Sequence, residues 1–456
     1  MSFNPVTADA HQLAQAFANG QMDPVEAFEH SLARLPAAEH AFISLSQARG
    51  RREAEASRQR WLAGAPLSAL DGVPVAWKDL FDMAGTITTA GAAVRREAVA
   101  AQQDANLVLR LSQAGMVTVG KTNLSELAYS GLGLNPHFGT PANAALPGPL
   151  RAPGGSSAGA AIAVAAGIVP IAMGTDTAGS IRIPAAFNGL VGYRSSRKRY
   201  AFDGVFGLAR SLDALGPITR SVRDAIAVDQ LLSGACTTLK AANLEAADLR
   251  SLHLRIDEAT LHDPRVESAV RDNLEHCLQR LQAAGARIDR RPVLAWQATQ
   301  DCIAQQGWLG AAEAFASHER LLDSPDAARL DPRVRARLET ARSMPASRQL
   351  RLYERRVQLQ EQLNAELDGA LLVTPTVAHV APLLAPLERD DALFASTNLA
   401  TLRLTMPGSL LDMPGVALPS GADHDGLPTS LLLAGCSGAD IAVLRAALAV
   451  ETVLKQ

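Results

Sequence analysis

Between about residues 72 and 235 the chain alternates short strand-like runs with helix-like ones, an alternation that limits it to a β-sheet with helices packed on it. Val73-Pro74-Val75-Ala76-Trp77 and Met116-Val117-Thr118-Val119 read as strands, and 105–114 as a helix. The most apolar run, 158–173, consists largely of Ala and Gly and contains Pro170. It is shorter than the ~20 residues of a membrane-spanning helix, so it reads as a buried helix followed by a buried strand over 169–173. Ahead of the alternation, 7–35 reads as two short helices, the second opening at Asp23-Pro24 with Val25, Phe28, Leu32 and Leu35 on one face. Behind it, charged helical segments dominate up to about 368, including the Arg/Gln/Glu-rich stretch 347–367. Strands return in Gly369-Ala370-Leu371-Leu372-Val373 and Gly415-Val416-Ala417-Leu418-Pro419. Because strands flank the charged section on both sides, it reads as an insertion in, or a cover on, one continuous α/β domain. The expected organisation is a helical lead-in over 1–70, an α/β core over 71–235, a variable helical section covering it over 236–368, and a part over 369–456 that completes the same domain.

With 456 residues, 48% apolar and 20% charged, the chain can bury an extensive core. Its 43 basic and 46 acidic residues leave a net charge of −3, which favours neither nucleic acid nor an anionic membrane and suits a small ligand. Cys236, Cys277, Cys302 and Cys436 are widely spaced, without a CxxC pair, and read as free thiols of a reducing compartment. The start, Met1-Ser2-Phe3-Asn4-Pro5, lacks the apolar stretch of a signal peptide, so a cytoplasmic location is expected. No HExxH or paired Cys/His spacing occurs, and neither a metal nor another cofactor is expected.

Two Gly-rich loops carry serines. Pro153-Gly154-Gly155-Ser156-Ser157-Ala158-Gly159 is tight enough to bring backbone close to a ligand. Gly174-Thr175-Asp176-Thr177-Ala178-Gly179-Ser180-Ile181-Arg182-Ile183-Pro184 follows the 169–173 strand, so one helix and one strand can bring both loops to the same sheet edge. A serine hydroxyl needs a base within hydrogen-bond reach. The ten histidines offer no local signature: His137 sits in a Pro-flanked loop, and His276 and His318 fall in the charged section. Lysine is the alternative if burial lowers its pKa. Lys78 ends an apolar strand, where burial acts in that direction, while carboxylates of Asp79 and Asp82 close by would act against it.

Gly72-Val73-Pro74-Val75-Ala76-Trp77-Lys78-Asp79, Gly154-Gly155-Ser156-Ser157-Ala158-Gly159 and Asp176-Thr177-Ala178-Gly179-Ser180-Ile181-Arg182-Ile183-Pro184 together resemble the amidase-signature family. The likeness extends through Gly120-Lys121-Thr122-Asn123, Asn135-Pro136-His137-Phe138-Gly139-Thr140-Pro141, Ser211-Leu212-Asp213-Ala214-Leu215-Gly216-Pro217, Thr374-Pro375-Thr376 and Met413-Pro414-Gly415-Val416-Ala417-Leu418-Pro419, and is weakest over 236–345. The resemblance implies an α/β fold with a central twisted mixed β-sheet covered by helices on both faces, 71–235 being its catalytic core. It implies hydrolysis of a small amide or urea-like C–N bond by a Ser-Ser-Lys triad: Ser180 as nucleophile, Ser156 as bridging serine after a cis peptide bond from Gly155, and Lys78 as base. Backbone N–H groups of Thr177, Ala178, Gly179 and Ser180 correspond to the family's oxyanion hole. Gly155, Ser157, Thr175, Asp176 and Arg182 would support the site, the last two by pairing, and Ser130 and Gly131 would border the substrate pocket.

Two features depart from the family pattern. Ala178 stands where many members have glycine, which is compatible with a negative φ there. Tyr193-Arg194-Ser195-Ser196-Arg197-Lys198-Arg199 is unusually basic and reads as a solvated loop, with contact to an acidic substrate as the alternative.

One rival lies in another class. Gly115-Met116-Val117-Thr118-Val119-Gly120-Lys121-Thr122 matches the phosphate-loop pattern GxxxxGK[ST]. Its intervening residues read as a strand, whereas a phosphate-cradling loop needs its strand before the first glycine. A second alternative keeps the chemistry: the amidase subunit of an aminoacyl-tRNA amidotransferase, the charged section then being a partner surface instead of a substrate cover. Outside that case the expected partner is a small-molecule amide, with no nucleic acid or membrane and room for a homodimer. Trp296 and Trp308 read as helix-packing residues, with pocket lining as the alternative.

Overall fold

Alternate residues of the strands face two different apolar cores, which is how a sheet covered on both faces is built. In the computed structural model, which describes residues 3–234 and 244–455, eleven strands form one mixed sheet. They are β1 (Phe42–Leu45), β2 (Pro74–Lys78), β3 (Val117–Thr122), β4 (Ile171–Asp176), β5 (Val191–Arg194), β6 (Ala214–Thr219), β7 (His253–Ile256), β8 (Arg287–Arg290), β9 (Leu371–Pro375), β10 (Gly415–Ala422) and β11 (Pro428–Ala434), in the order β1-β3-β2-β4-β6-β5-β10-β11-β9-β7-β8. Val75 and Trp77 of β2 and Ile171 and Met173 of β4 enter a core shared with helices Ala10–Ala18, Asn106–Gln113, Val222–Ser233, Ser268–Ala283 and Asp440–Leu454. Ala76 and Ala172 between them face the opposite core, with helices Pro24–Ala33, Gln47–Leu62 and Ala158–Ala165. Every residue of β2, β3 and β4 is buried.

Strand direction decides what meets at each edge. β3, β2 and β4 are mutually parallel, and β6 runs antiparallel to both β4 and β5. The C-terminal ends of β2, β4 and β5 therefore lie on one edge, together with the start of β6. Local chemistry fixes the helix ends that frame this sheet. Asp23 caps helix Pro24–Ala33 in a capping box with Glu26, and Pro24 fills the first position, where its missing N–H costs nothing.

The two flanking sections differ from their sequence reading. The 1–70 lead-in also contributes β1, antiparallel to β3. The 236–368 section, expected to be helical, adds β7 and β8 in parallel beyond β9. Both strands have only four residues, and β8, at the sheet's edge, ends in the charged pair Asp289-Arg290, too short a pattern for strand periodicity to emerge. An Arg255–Asp289 ion pair at 3.2 Å joins them across the ladder. Cys236 and the 235/236 boundary fall outside the described residues, and Cys277, Cys302 and Cys436 are free thiols. Trp296 and Trp308 are packing residues, buried in a core with Phe187 and Leu359. No helix among the described residues is long and apolar enough to cross a membrane.

Candidate active site

Lys78 is the last residue of β2 and wholly buried. The β2–β4 register, pairing Trp77 with Met173, carries it alongside the Gly174-Thr175 end of β4. There its Nζ lies 2.7 Å from Ser156 Oγ and 2.9 Å from Thr175 Oγ1. Burial brings its pKa down to about 7, against the opposing pull of the Asp176 and Asp213 carboxylates. The sequence pointed to Asp79 and Asp82 as the opposing groups, but both are turned to other work. Asp79 pairs with Lys121 at 2.6 Å, and Asp82 accepts from the Thr88 hydroxyl at 2.6 Å.

The Gly155–Ser156 peptide bond is cis. Gly155 N–H donates to Gly131 O at 2.8 Å, and a Cβ on Gly155 would come within 2.6 Å of Gly133 N, so no other residue fits without displacing backbone. Ser130 and Gly131, expected at the substrate pocket, have their polar groups engaged internally: Ser130 Oγ and Gly131 N–H both reach Asn398 Oδ1, at 3.2 and 2.8 Å. They stand behind the Gly155–Ser156 turn as its supports. Ser157 N–H donates to Ser180 O at 3.2 Å, and its hydroxyl to Thr175 O at 3.3 Å, tying the two serine loops together.

The second loop is wound around Asp176. One carboxylate oxygen accepts from Gly179 N–H at 2.8 Å and the other from Ile181 N–H at 3.1 Å. Arg182 grips both oxygens, at 2.9 and 3.0 Å, and reaches Ser409 Oγ at 2.7 Å. Burial opposes ionisation of Asp176, yet Arg182 with its hydrogen bonds, and Arg194, hold the carboxyl well below the usual carboxylate range. Gly179 N–H, one of the four donors expected at an oxyanion hole, is committed to Asp176. The backbone donors left without a hydrogen bond among the described residues are those of Thr177, Ala178 and Ser180. Ala178 avoids the left-handed region, which Gly179 occupies instead at φ 133°. Thr405 Oγ1 closes the loop from outside by donating to Ala178 O at 2.5 Å.

Three participants carried no assigned role in the sequence reading. Asp213 accepts from Thr177 Oγ1 at 2.5 Å, and burial pushes its carboxyl up to about 6 despite that bond and those from Ala209 and Leu208 N–H. Thr405 and Arg194 are the others. Arg194, read as part of a solvated loop, is fully buried in β5 and donates to Asp176 O at 3.0 Å. The basic segment is thus only partly solvated: Arg199 pairs with Asp229, and of residues 193–199 Lys198 alone is exposed. The signal for Arg194 was its place at the end of an apolar strand.

Lys121 sits inside β3, donating to Ile87 O at 3.0 Å and Thr88 Oγ1 at 2.9 Å besides its pairing with Asp79. A strand with its lysine spent on a buried ion pair leaves no phosphate cradle, so the GxxxxGK[ST] match is a coincidence of letters. Glu258, His262 and Glu275 converge closely enough for a metal ion, but Arg290 bridges the two glutamates, and Asp423, His424 and Asp425 sit in an exposed turn. Neither group contains a residue of the two serine loops.

Similarity to known proteins covers nearly the whole chain. The family model described as Amidase matches residues 23–444. The chain is 34% identical over 437 residues to 2-amino-5-chloromuconic acid deaminase of Comamonas testosteroni, spanning 93% of this chain and 90% of that protein. It is 31% identical over 457 residues to a glutamyl-tRNA(Gln) amidotransferase subunit of Synechococcus sp. (strain WH7803), covering 92% of each. A solved amidase crystal structure superposes with a TM-score of 0.85 at 30% identity, over 98% of this chain and all of that one.

Proposed function

The chain belongs to the amidase family and hydrolyses amide C–N bonds, and we propose that it does so through an acyl-enzyme on Ser180. The observation that carries this reading is Lys78 Nζ at 2.7 Å from Ser156 Oγ in a fully buried setting that brings its pKa to about 7. A neutral Lys78 accepts the Ser156 proton while Ser156 takes that of Ser180. Ser180 Oγ then bonds to the amide carbon. The charge that develops on the carbonyl oxygen is met by the N–H groups of Thr177, Ala178 and Ser180. The proton returns through Ser156 to the leaving nitrogen, the C–N bond breaks, and the amine departs. Water enters by the same relay, cleaves the Ser180 ester and releases the carboxylic acid. Asp176, Arg182, Arg194 and Thr405 hold the loop, while Gly155, Ser157, Thr175, Ser130 and Gly131 hold the relay. The free thiols support a cytoplasmic location, and the expected partner is a small-molecule amide.

Mass spectrometry of the protein quenched with a panel of small amides, ureas and glutamine tests the reading. The expected result is an acyl mass on the Ser180 peptide, absent from Ser180→Ala, with turnover abolished in that variant and lowered by roughly 10²–10⁴ in Ser156→Ala. Unchanged turnover in a folded Ser180→Ala protein would sink the assignment. A second reading, one component of an amidotransferase, draws on the 31% identity to a protein of that kind. It requires glutaminase activity that appears only when a second protein and an aminoacyl acceptor are present, and robust hydrolysis of simple amides by the chain alone rejects it.

A further inference from the structure

A cavity of about 1230 Å³ opens beside the nucleophile loop. The 195–213 connection that walls it leaves the C-terminal end of β5 and enters the start of β6, so it lies on the same sheet edge as Lys78 and Ser180. Asp213, in its wall, is the residue that accepts from Thr177 Oγ1. Helix Leu309–Leu322, from the charged section, closes the other side with Glu313 and His318.

The chemistry of the lining is uneven. Arg197, Lys198 and Arg210 all face the cavity, and none of them takes part in an ion pair among the described residues. Arg197 Nη1 donates to Arg210 O at 3.1 Å, and its Nε is buried without a partner. Against them stand the exposed Asp203, Glu313 already engaged by Ser211 and by the Tyr353 hydroxyl at 2.9 Å, and Asp213 pushed up to about 6. The carboxylates match the cations in number, but Asp213 and Glu313 are held by hydroxyl and N–H donors, whereas the three cations have no counter-ion among the described residues. His318 is 5% exposed, and its Nδ1 lies 2.8 Å from Ala314 O. A carbonyl oxygen accepts only from N–H, so Nε2 is the acceptor nitrogen, and it is buried with no partner. Burial also lowers the His318 pKa, which disfavours the charged ring. Such an acceptor is costly to leave unpaired, and a ligand donor would satisfy it. The volume lies above the roughly 300–1,000 Å³ of an ordinary small-molecule site, too large for a lone ion and able to take a chain several atoms long.

We propose that this cavity is a substrate subsite for the carboxylate end of an acidic amide, with Arg197, Lys198 and Arg210 meeting the charge and His318 Nε2 accepting from an N–H or O–H of the same molecule. The assignment rests on the acyl-enzyme reading and extends it from reaction class to substrate class. The basic segment around Arg197 then acts in selection, and the charged section contributes a wall of the substrate site through His318.

The test compares adipamic acid with hexanamide, a neutral amide of equal chain length, and measures binding of adipate separately. Wild type is expected to favour adipamic acid in kcat/KM by on the order of tenfold or more, the range of charge-assisted contacts. R197Q/K198Q should lose that preference through KM, and R197E/K198E should turn it toward ω-aminohexanamide, a gain that mere loosening of the loop would not produce. His318→Leu should weaken adipamic acid further. Equal use of both amides by wild type, or a preference unmoved by the charge reversal, overturns the subsite. Adipate binding, read by calorimetry without turnover, separates this outcome from failure of the Ser180 reading: binding that R197Q/K198Q abolishes supports the subsite even if Ser180→Ala stays active, and absent binding with a normal Ser180 adduct counts against the subsite alone.

Discussion

Lys78 works as a base only when neutral, and burial places that change at a pKa of about 7. The expected pH profile of kcat/KM rises about tenfold per unit below pH 7 and levels off above it. A profile flat from pH 5 to 9 would show that Lys78 does not titrate in the rate-limiting step. Stability should carry the same signature with its own sign. Between about pH 7 and 10.5 the unfolded chain keeps a proton that buried Lys78 has lost, so this residue's contribution to stability rises with pH across that window and is at its lowest below it. Asp176 makes a second residue-scale prediction. Asp176→Asn leaves the Arg182 guanidinium buried without a counter-charge and is expected to cost about 3–5 kcal/mol. Urea denaturation of the variant checks it, and an unshifted midpoint would mean that Ser409 and the Thr405 carbonyl suffice for Arg182. The Asp176–Arg182 pairing was legible in the sequence through the likeness of its loop to a known family. The Asp213 contact was not, because Thr177 and Asp213 meet only when β4 and β6 lie side by side.

At the scale of single elements, the nucleophile loop depends on Gly179. Its φ of 133° is a region that other residues rarely adopt, and a Cβ there would overlap Thr405 Oγ1. Gly179→Ala should therefore move the loop that holds Ser180 and lower kcat by about two orders of magnitude or more. Stability should fall by about 1–3 kcal/mol. Steady-state kinetics beside thermal denaturation checks both, and unchanged kcat would show that the loop tolerates the shift. Long and strongly patterned elements were readable in advance. The helix expected at 347–367 is Ala346–Leu367, and the strand expected at 116–119 is β3, Val117–Thr122. The short strands β1, β7 and β8 at the two ends of the sheet order were not, since four residues give little periodicity and their pairing partners are distant in sequence.

For the molecule as a whole, the sheet order weaves the chain together: β5 of the first half pairs with β10 of the last part, and β7 from the charged section pairs with β9. No section can leave without breaking a ladder, so activity, far-UV circular dichroism and tryptophan fluorescence should fall together in urea. A fluorescence step with activity retained would show that the region of Trp296 and Trp308 opens alone. The sequence by itself determined the α/β class, the two serine loops, the lysine at a strand end and the family to which these belong. Those features are local, carried by periodicity, by small residues and by short motifs. Which carboxylates oppose Lys78, which loop N–H groups stay free, and the joining of basic residues, Asp213 and His318 around one cavity were decided by tertiary structure alone. They depend on strand register and on helices far apart in sequence, and no local pattern encodes such distances.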